Sequence, residues 1–222
     1  MGSRVVVAVD GPSGSGKSST SRGVAARLGL RYLDTGAMFR AMTWWMLRHG
    51  VDVDDPAAVT AHVDDPVLES GTDPNAPTIS VDGVDVAGPI RTAEVTAAVS
   101  AVSAVPAVRA RLLAEQRAII GAGGIVVEGR DIGTVVAPEA PVKVFLTASV
   151  DARAVRRTAE RTVGTDAAQT EQDLLRRDRL DSGRAVAPLT MADDAERIDT
   201  TSHTLAEVIE IVVALAQQRT GA

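Results

Sequence analysis

Gly11-Pro12-Ser13-Gly14-Ser15-Gly16-Lys17-Ser18 is the stretch whose reading decides this chain. It follows an apolar run, Val5 to Val9, that reads as a buried parallel strand. It precedes a helical pattern from Ser18 to about Leu28. Gly11, Gly16, Lys17 and Ser18 match G-x-x-x-x-G-K-[ST]. Glycine lets the backbone wrap tightly, so that several amides point at one phosphate. The helix N-terminus adds partial positive charge. Lys17 reaches the β- and γ-phosphates in such loops, and the Ser18 hydroxyl binds Mg²⁺. The strand before and the helix after separate this match from an ordinary strand-to-helix turn.

Outward from the loop, strands and helices alternate. Arg31-Tyr32-Leu33 is a second strand, and Asp34 or Thr35 caps the helix after it. Met38, Phe39, Met42, Trp45 and Met46 recur at spacings of three and four and read as a core stripe, with Arg40 off it. Residues 52–76 carry turn chemistry: Asp54-Asp55-Pro56, Asp64-Asp65-Pro66 and Gly71-Thr72-Asp73-Pro74-Asn75. Ile79 and Val81, then Val84 and Val86, alternate with polar residues around Asp82-Gly83, which predicts a hairpin. Val67-Leu68-Glu69 could add a third strand. A small antiparallel insert is therefore expected there, outside the parallel sheet.

A long apolar periodicity from Thr92 to Ile120 is divided by Pro106, predicting a kink or two helices. Ile125-Val126-Val127 is a third buried strand, ending in Glu128-Gly129-Arg130-Asp131, and Val142–Leu146 is a fourth. Ser149 caps a helix holding Arg153, Arg156, Arg157 and Arg161. Salt bridges to Asp151 or Glu160 are the plain expectation for Arg156. Ile198 marks a last short strand, and Leu205, Val208, Ile209, Val212 and Ala216 form the core face of a final helix. The pattern predicts an α/β fold, a parallel sheet of five strands with helices on both faces. Ligands in such sheets bind beyond the carboxyl ends of the strands. Asp10-Gly11, Asp34-Thr35 and Glu128–Asp131 all sit at such ends and should meet in one cleft.

Composition narrows the classes. The formal charge of −6 over 222 residues gives no support for nucleic-acid binding. Of 23 basic residues only Lys17 and Lys143 are lysines, and arginine forks match phosphate oxygens bidentately. No cysteine is present, which excludes disulfides and thiolate metal sites. The N-terminus reads as strand and phosphate loop rather than a leader, and no run approaches the ~20 apolar residues of a membrane span. The expectation is a cytoplasmic protein, a monomer, acting on small molecules, with neither nucleic acid nor membrane as partner.

Four segments, in order and over nearly the whole chain, resemble bacterial cytidylate kinase. They are Asp10-Gly-Pro-Ser-Gly-Ser-Gly-Lys17, Asp34-Thr-Gly-Ala-Met-Phe-Arg40, Glu128-Gly-Arg-Asp-Ile-Gly-Thr134 and Arg184-Ala-Val-Ala-Pro-Leu189. The resemblance implies a phosphate-loop nucleoside-monophosphate kinase fold over residues 1–222 as a single domain. Within it, 62–91 would be the antiparallel monophosphate-binding insert and about 153–183 a mobile helical lid. It implies transfer of the γ-phosphoryl group of ATP to CMP or dCMP, with Mg²⁺. Carried over by position, Gly11, Pro12, Ser13, Gly14, Ser15, Gly16, Lys17, Ser18 and Ser19 hold ATP, with Ser18 on the metal. Thr35, Arg40, Arg130 and Arg184 gather round the CMP phosphate. Ser100, Arg109 and Asp131 read cytosine, and Arg177 and Asp181 hold the sugar hydroxyls. Lys17, Arg130, Arg153 and Arg157 approach the transferring group. Two positions depart from the family's pattern: Thr35 stands where serine is expected, and Glu128 stands where the acid is usually shorter. The alternatives are a kinase of the same scaffold with UMP, AMP or a small alcohol as acceptor, and a nucleotide switch. A guanine-reading Asn-Lys-x-Asp, which a GTPase switch would need, is absent from the sequence.

Overall fold

Each short apolar run pairs with a neighbour far away in sequence, because it is too apolar on both faces to stand at a surface. A computed structural model describes residues 4–160, 167–184 and 186–221. Five strands, β1 (Val6–Asp10), β2 (Arg31–Asp34), β6 (Ile125–Gly129), β7 (Val142–Thr147) and β8 (Glu196–Asp199), form one sheet in the order β2-β6-β1-β7-β8. Every pairing in it is parallel. β1 is central, and Val7, Ala8 and Val9 are fully buried. Val7 and Val9 pack with Val24 and Ala25 of α1 (Lys17–Leu28) and with Val208 and Val212 of α8 (Leu205–Thr220). Ala8 faces the other core, with Met38 and Met42 of α2 (Thr35–Arg48) and Leu112 of α5 (Pro106–Ile120).

Register aligns the strand ends. Asp10 lies opposite Gly129 of β6 and Phe145 of β7, and Asp34 lies opposite Glu128. The three predicted strand-end segments therefore open on the same edge of the sheet. The chain leaves β1 with neighbours on both sides, so this edge is where the connections part and leave a crevice.

The insert forms as a three-stranded antiparallel sheet, β3 (Leu68–Ser70), β4 (Ile79–Val81) and β5 (Val84–Asp85), after a short α3 (Pro56–Ala61). Asp82 and Gly83 both have positive φ, the geometry of a tight hairpin turn. The Tyr32 amide donates to Thr72 O and Arg22 Nε to Pro74 O, both at 2.9 Å, which ties the insert to the parallel core. Pro106 does split the long periodicity into two helices, α4 (Ala93–Ala104) and α5, bent by 94°. Val105, preceding the proline, is extended. No single described helix is long and apolar enough to cross a membrane.

Met38, Met42, Trp45 and Met46 are buried as the stripe predicts. Phe39 packs against the same core but is only partly buried, and the Arg109 guanidinium lies over its ring, 5.3 Å away. Leu205, expected in the core face of α8, is the first helical residue there and is exposed. The Ser149 hydroxyl accepts from Ala152 N at the start of α6 (Val150–Glu160), as predicted. A last helix, α7 (Ala167–Ser182), packs against α6. Residues 161–166, in the stretch expected to carry the lid loop, lie outside the described residues.

Candidate active site

The phosphate loop is shaped by backbone approach. Gly11 has φ +146°, and a Cβ there would stand 2.1 Å from Leu146 O of β7. Gly16 has φ +87° and ends the loop at the N-cap of α1 without a side-chain cap. No acidic residue occupies the first turn of α1. Its amides and its dipole are thus left to an anion. Lys17 Nζ donates to Pro12 O at 2.7 Å, and Ser15 Oγ donates to the same carbonyl at 3.0 Å. Burial, and then the charge of Arg130, hold the Lys17 ammonium well below its ordinary pKa.

Glu128 is buried behind the loop. It accepts from Ser18 Oγ at 3.0 Å and from the Tyr32 hydroxyl. Burial, more than the charge of Asp34, pushes its carboxyl up to about 7. Burial also holds the Tyr32 phenol protonated, well above its usual value. Ser18 uses its proton toward Glu128, so its oxygen lone pairs are open to a cation. A hydroxyl with a carboxylate behind it is the hard-oxygen set that Mg²⁺ takes alongside phosphate oxygens and water. The residues fit that ion. Among the described residues no cluster of three or more His, Cys, Asp or Glu forms a further metal site.

Beside the loop, arginines from four separate segments meet. Arg40 of α2 donates to Ile90 O at 3.1 Å and Thr96 Oγ1 at 3.0 Å. Burial, and then the charge of Arg157, lower it to about 10. Arg130, just past β6, donates from Nε to Asp181 Oδ2 of α7 at 2.9 Å. Arg184 donates from Nε to Asp181 O at 3.2 Å, and its buried Nη2 has no partner among the described residues. Burial lowers its pKa as well. Arg157 of α6 donates from Nη2 to Ser13 Oγ at 2.9 Å. Farther along, Arg109 of α5 pairs with Asp131 and donates to Ser103 O at 3.2 Å. Thr35 Oγ1 donates to Glu128 O at 2.7 Å, while Asp34, not Thr35, caps α2 through Ala37 N.

Together these groups line a cleft of about 390 Å³, within the range of small-molecule sites. The expected residues Lys17, Ser18, Thr35, Arg40, Ser100, Arg109, Arg130, Asp131, Arg157, Asp181 and Arg184 all line it. Arg153 does not. Its buried guanidinium sits behind the loop, donating to Ser13 O at 3.1 Å and Asp178 Oδ2 at 2.6 Å. The side chain of Arg177 lies outside the described residues. Arg156 makes no bridge to Asp151 and donates to Thr200 Oγ1 and O, at 2.8 and 2.6 Å; the side chain of Glu160, its other expected partner, lies outside the described residues. Arg22, Arg91 and Phe39 also line the cleft without having been singled out for it. Arg91 closes the insert, so its place depends on how that insert docks. A chain of net charge −6 thus concentrates cations in one cleft.

A family model described as cytidylate kinase matches residues 7–218. A cytidylate kinase of Streptomyces griseus is 60% identical over 217 residues, 97% of this chain and 94% of that one. A cytidylate kinase of Rhodococcus jostii is 53% identical over 224 residues, 99% of this chain and 98% of that one. A solved structure of an uncharacterized protein from Eubacterium ventriosum shares the fold. It has a TM-score of 0.54 at 10% identity, covering 98% of this chain and all of that one.

Proposed function

This chain belongs to the cytidylate kinase family, and from that membership and its cleft we propose that it transfers the γ-phosphoryl group of ATP to CMP or dCMP. Phosphoryl transfer asks for positioning and charge neutralisation more than covalent chemistry. The loop from Gly11 to Ser19 wraps the ATP phosphates with backbone amides, and Lys17 neutralises the β- and γ-oxygens. Mg²⁺, held at the Ser18 hydroxyl, supplies Lewis-acid neutralisation of the same oxygens when bound. Glu128 keeps the Ser18 oxygen oriented by accepting its proton, and the Tyr32 hydroxyl holds the Glu128 carboxylate in place for it.

Arg40, Arg130 and Arg184, with the Thr35 hydroxyl, grip the acceptor phosphate. Two anionic substrates repel each other, so cations from several elements are needed to hold them in line. The buried Nη2 of Arg184, without a partner among the described residues, supports its part in this grip, since an unmet donor costs free energy until an anion arrives. Asp181 orients Arg130, and with Arg177 it holds the sugar hydroxyls. Arg157 reaches the transferring group, and Arg153 sets the loop from behind through Ser13 and Asp178. The region from about 153 to 183 acts as a lid that excludes water, which would otherwise take the phosphoryl group. No general base is required, because the acceptor is already a phosphate oxygen.

The observation that carries the choice of base is the buried Arg109–Asp131 pair, with Ser100 lining the same cleft. Cytosine presents an N4 amino donor and an unprotonated N3; uracil presents O4 and N3–H. A carboxylate accepts from the amino group and repels O4, and a guanidinium donates to N3 or O2. A coupled assay of ADP release over a panel of nucleoside monophosphates tests the proposal. CMP and dCMP are expected to turn over fastest, UMP more slowly, and purine monophosphates least. Preference for AMP or UMP over CMP would refute the assignment of the base site.

A further inference from the structure

Asp131 occupies the position before a π-helical turn, Ile132–Val136. An aspartate there ordinarily turns its carboxylate onto the amides of the turn it precedes. This one makes no such bond; it is directed at Arg109. The amides are nonetheless satisfied. Ile132 N donates to Asp10 Oδ1 and Gly133 N to Asp10 Oδ2, each at 2.8 Å. Asp10 is the last residue of β1, 122 positions away from Ile132 in sequence. Its backbone pairs with Gly129, so one residue fixes the segment carrying Arg130 and Asp131 at both ends. Little room is left beside position 133. A Cβ there would meet Lys143 Cδ at 3.2 Å and Asp10 Oδ2 at 3.4 Å.

We propose that Asp10 is a positioning residue for base selection: by capping the turn Ile132–Val136 from across the sheet, it releases the Asp131 carboxylate to pair with Arg109 and face the base. The inference rests on the reading of Asp131 as a base contact. Without Asp10, two buried amides lack that acceptor, and the Asp131 side chain, which directly precedes them in the chain, can bend back toward them. Its carboxylate would then leave Arg109, and the cleft would lose the group that tells an amino donor from a carbonyl. The donor-nucleotide loop would keep its own bonds, since none of those described above, Lys17 and Ser15 to Pro12 or Ser18 to Glu128, runs through the Asp10 carboxylate. An aspartate that merely held the fold would, on removal, slow both pyrimidine substrates alike.

The test is kcat/KM for CMP and UMP in four proteins: wild type, Asp10→Asn, Asp131→Asn and the double variant. Asparagine keeps one acceptor and turns an NH₂ toward the second amide, so the cap is halved at constant shape. The CMP/UMP ratio is expected to fall about threefold to tenfold in Asp10→Asn, with KM for ATP little changed. In the Asp131→Asn background the same substitution is expected to leave the ratio unmoved. Equal loss for both nucleotides, or an equal fall of the ratio in both backgrounds, would overturn the proposal. If Asp131→Asn alone leaves the ratio unchanged, the base-site reading itself fails. If Asp131→Asn lowers the ratio and Asp10→Asn does not, only the role given to Asp10 fails. Asp10→Ser, with one short acceptor, replaces Asp10→Asn should that protein not fold. If neither folds, Asp10 is a structural residue and the proposal falls.

Discussion

Arg109→Met removes a buried charge while keeping a side chain of similar length, so its effect isolates the ion pair. The Arg109 and Asp131 side chains are 9% and 7% exposed, which leaves water little room to replace the lost partner. Breaking such a pair from one side leaves an uncompensated buried carboxylate and costs about 3–5 kcal/mol. The repulsion between Asp131 and the buried Asp10 acts in the same direction. Loss of the guanidinium from the Phe39 face adds about 0.5–2 kcal/mol at most. For a chain of this size 1 kcal/mol corresponds to about 2–4 °C, so Tm should fall by roughly 7–28 °C. Asp131→Asn leaves the arginine with an amide acceptor and should cost less, about 1–3 kcal/mol. In the double variant Arg109→Met/Asp131→Asn the buried carboxylate is gone as well. Much of the stability should return, giving a coupling energy of opposite sign to the single losses. Thermal and urea denaturation of the four proteins provide the measurement. A loss below about 1 kcal/mol in Arg109→Met, or simple additivity in the double variant, would refute the claim that the pair is desolvated and interdependent. Turnover of CMP should remain poor in the double variant, because stability is restored without the base contacts.

Two further outcomes follow from the geometry. Lys17→Ala should fold with near-native stability, since it removes a buried ammonium whose ordinary pKa is already depressed, yet phosphoryl transfer should drop by several orders of magnitude; near-normal turnover in a folded protein would remove the loop from the donor site. Burial pushes the Asp10 carboxyl from 3.8 up to about 6 in spite of its two amide donors. Between those values the native state binds more protons than the unfolded chain, so this group's contribution to stability falls as pH rises from about 4 to about 6 and is lowest above that range. Urea midpoints for wild type and Asp10→Asn at pH 5 and pH 7 should therefore differ in slope, with wild type losing more on the way up; parallel profiles would contradict the shift.

What could be read along the chain is what a few neighbouring residues decide. The tight turns at Gly11 and Gly16 need positive φ, and glycine announces that locally. Apolar runs without alternation mark strands covered on both faces, and Pro106 marks a break because its ring excludes a continuous helix. These constraints act over one to four residues, so the order of elements, the phosphate loop and the hairpin at Asp82-Gly83 were all legible. The partners inside the cleft were not. Asp10 meets Ile132 and Gly133 because β1 lies beside β6, and no local pattern states the order of strands in a sheet. Glu128 meets Tyr32 and Ser18 for the same reason. Arg153 and Arg157 share one helix and one composition. They lie on one helix face, and about 6 Å of rise between them carries Arg157 to the cleft and leaves Arg153 behind the loop, a difference set by how α6 packs on the loop and on α7. Phe39 packs against the core with one side of its ring while Arg109, from another helix, lies over the other, a neighbour no local pattern states. A charged or polar side chain takes its role from the charge that faces it, and that charge is brought by the fold from a distant part of the chain.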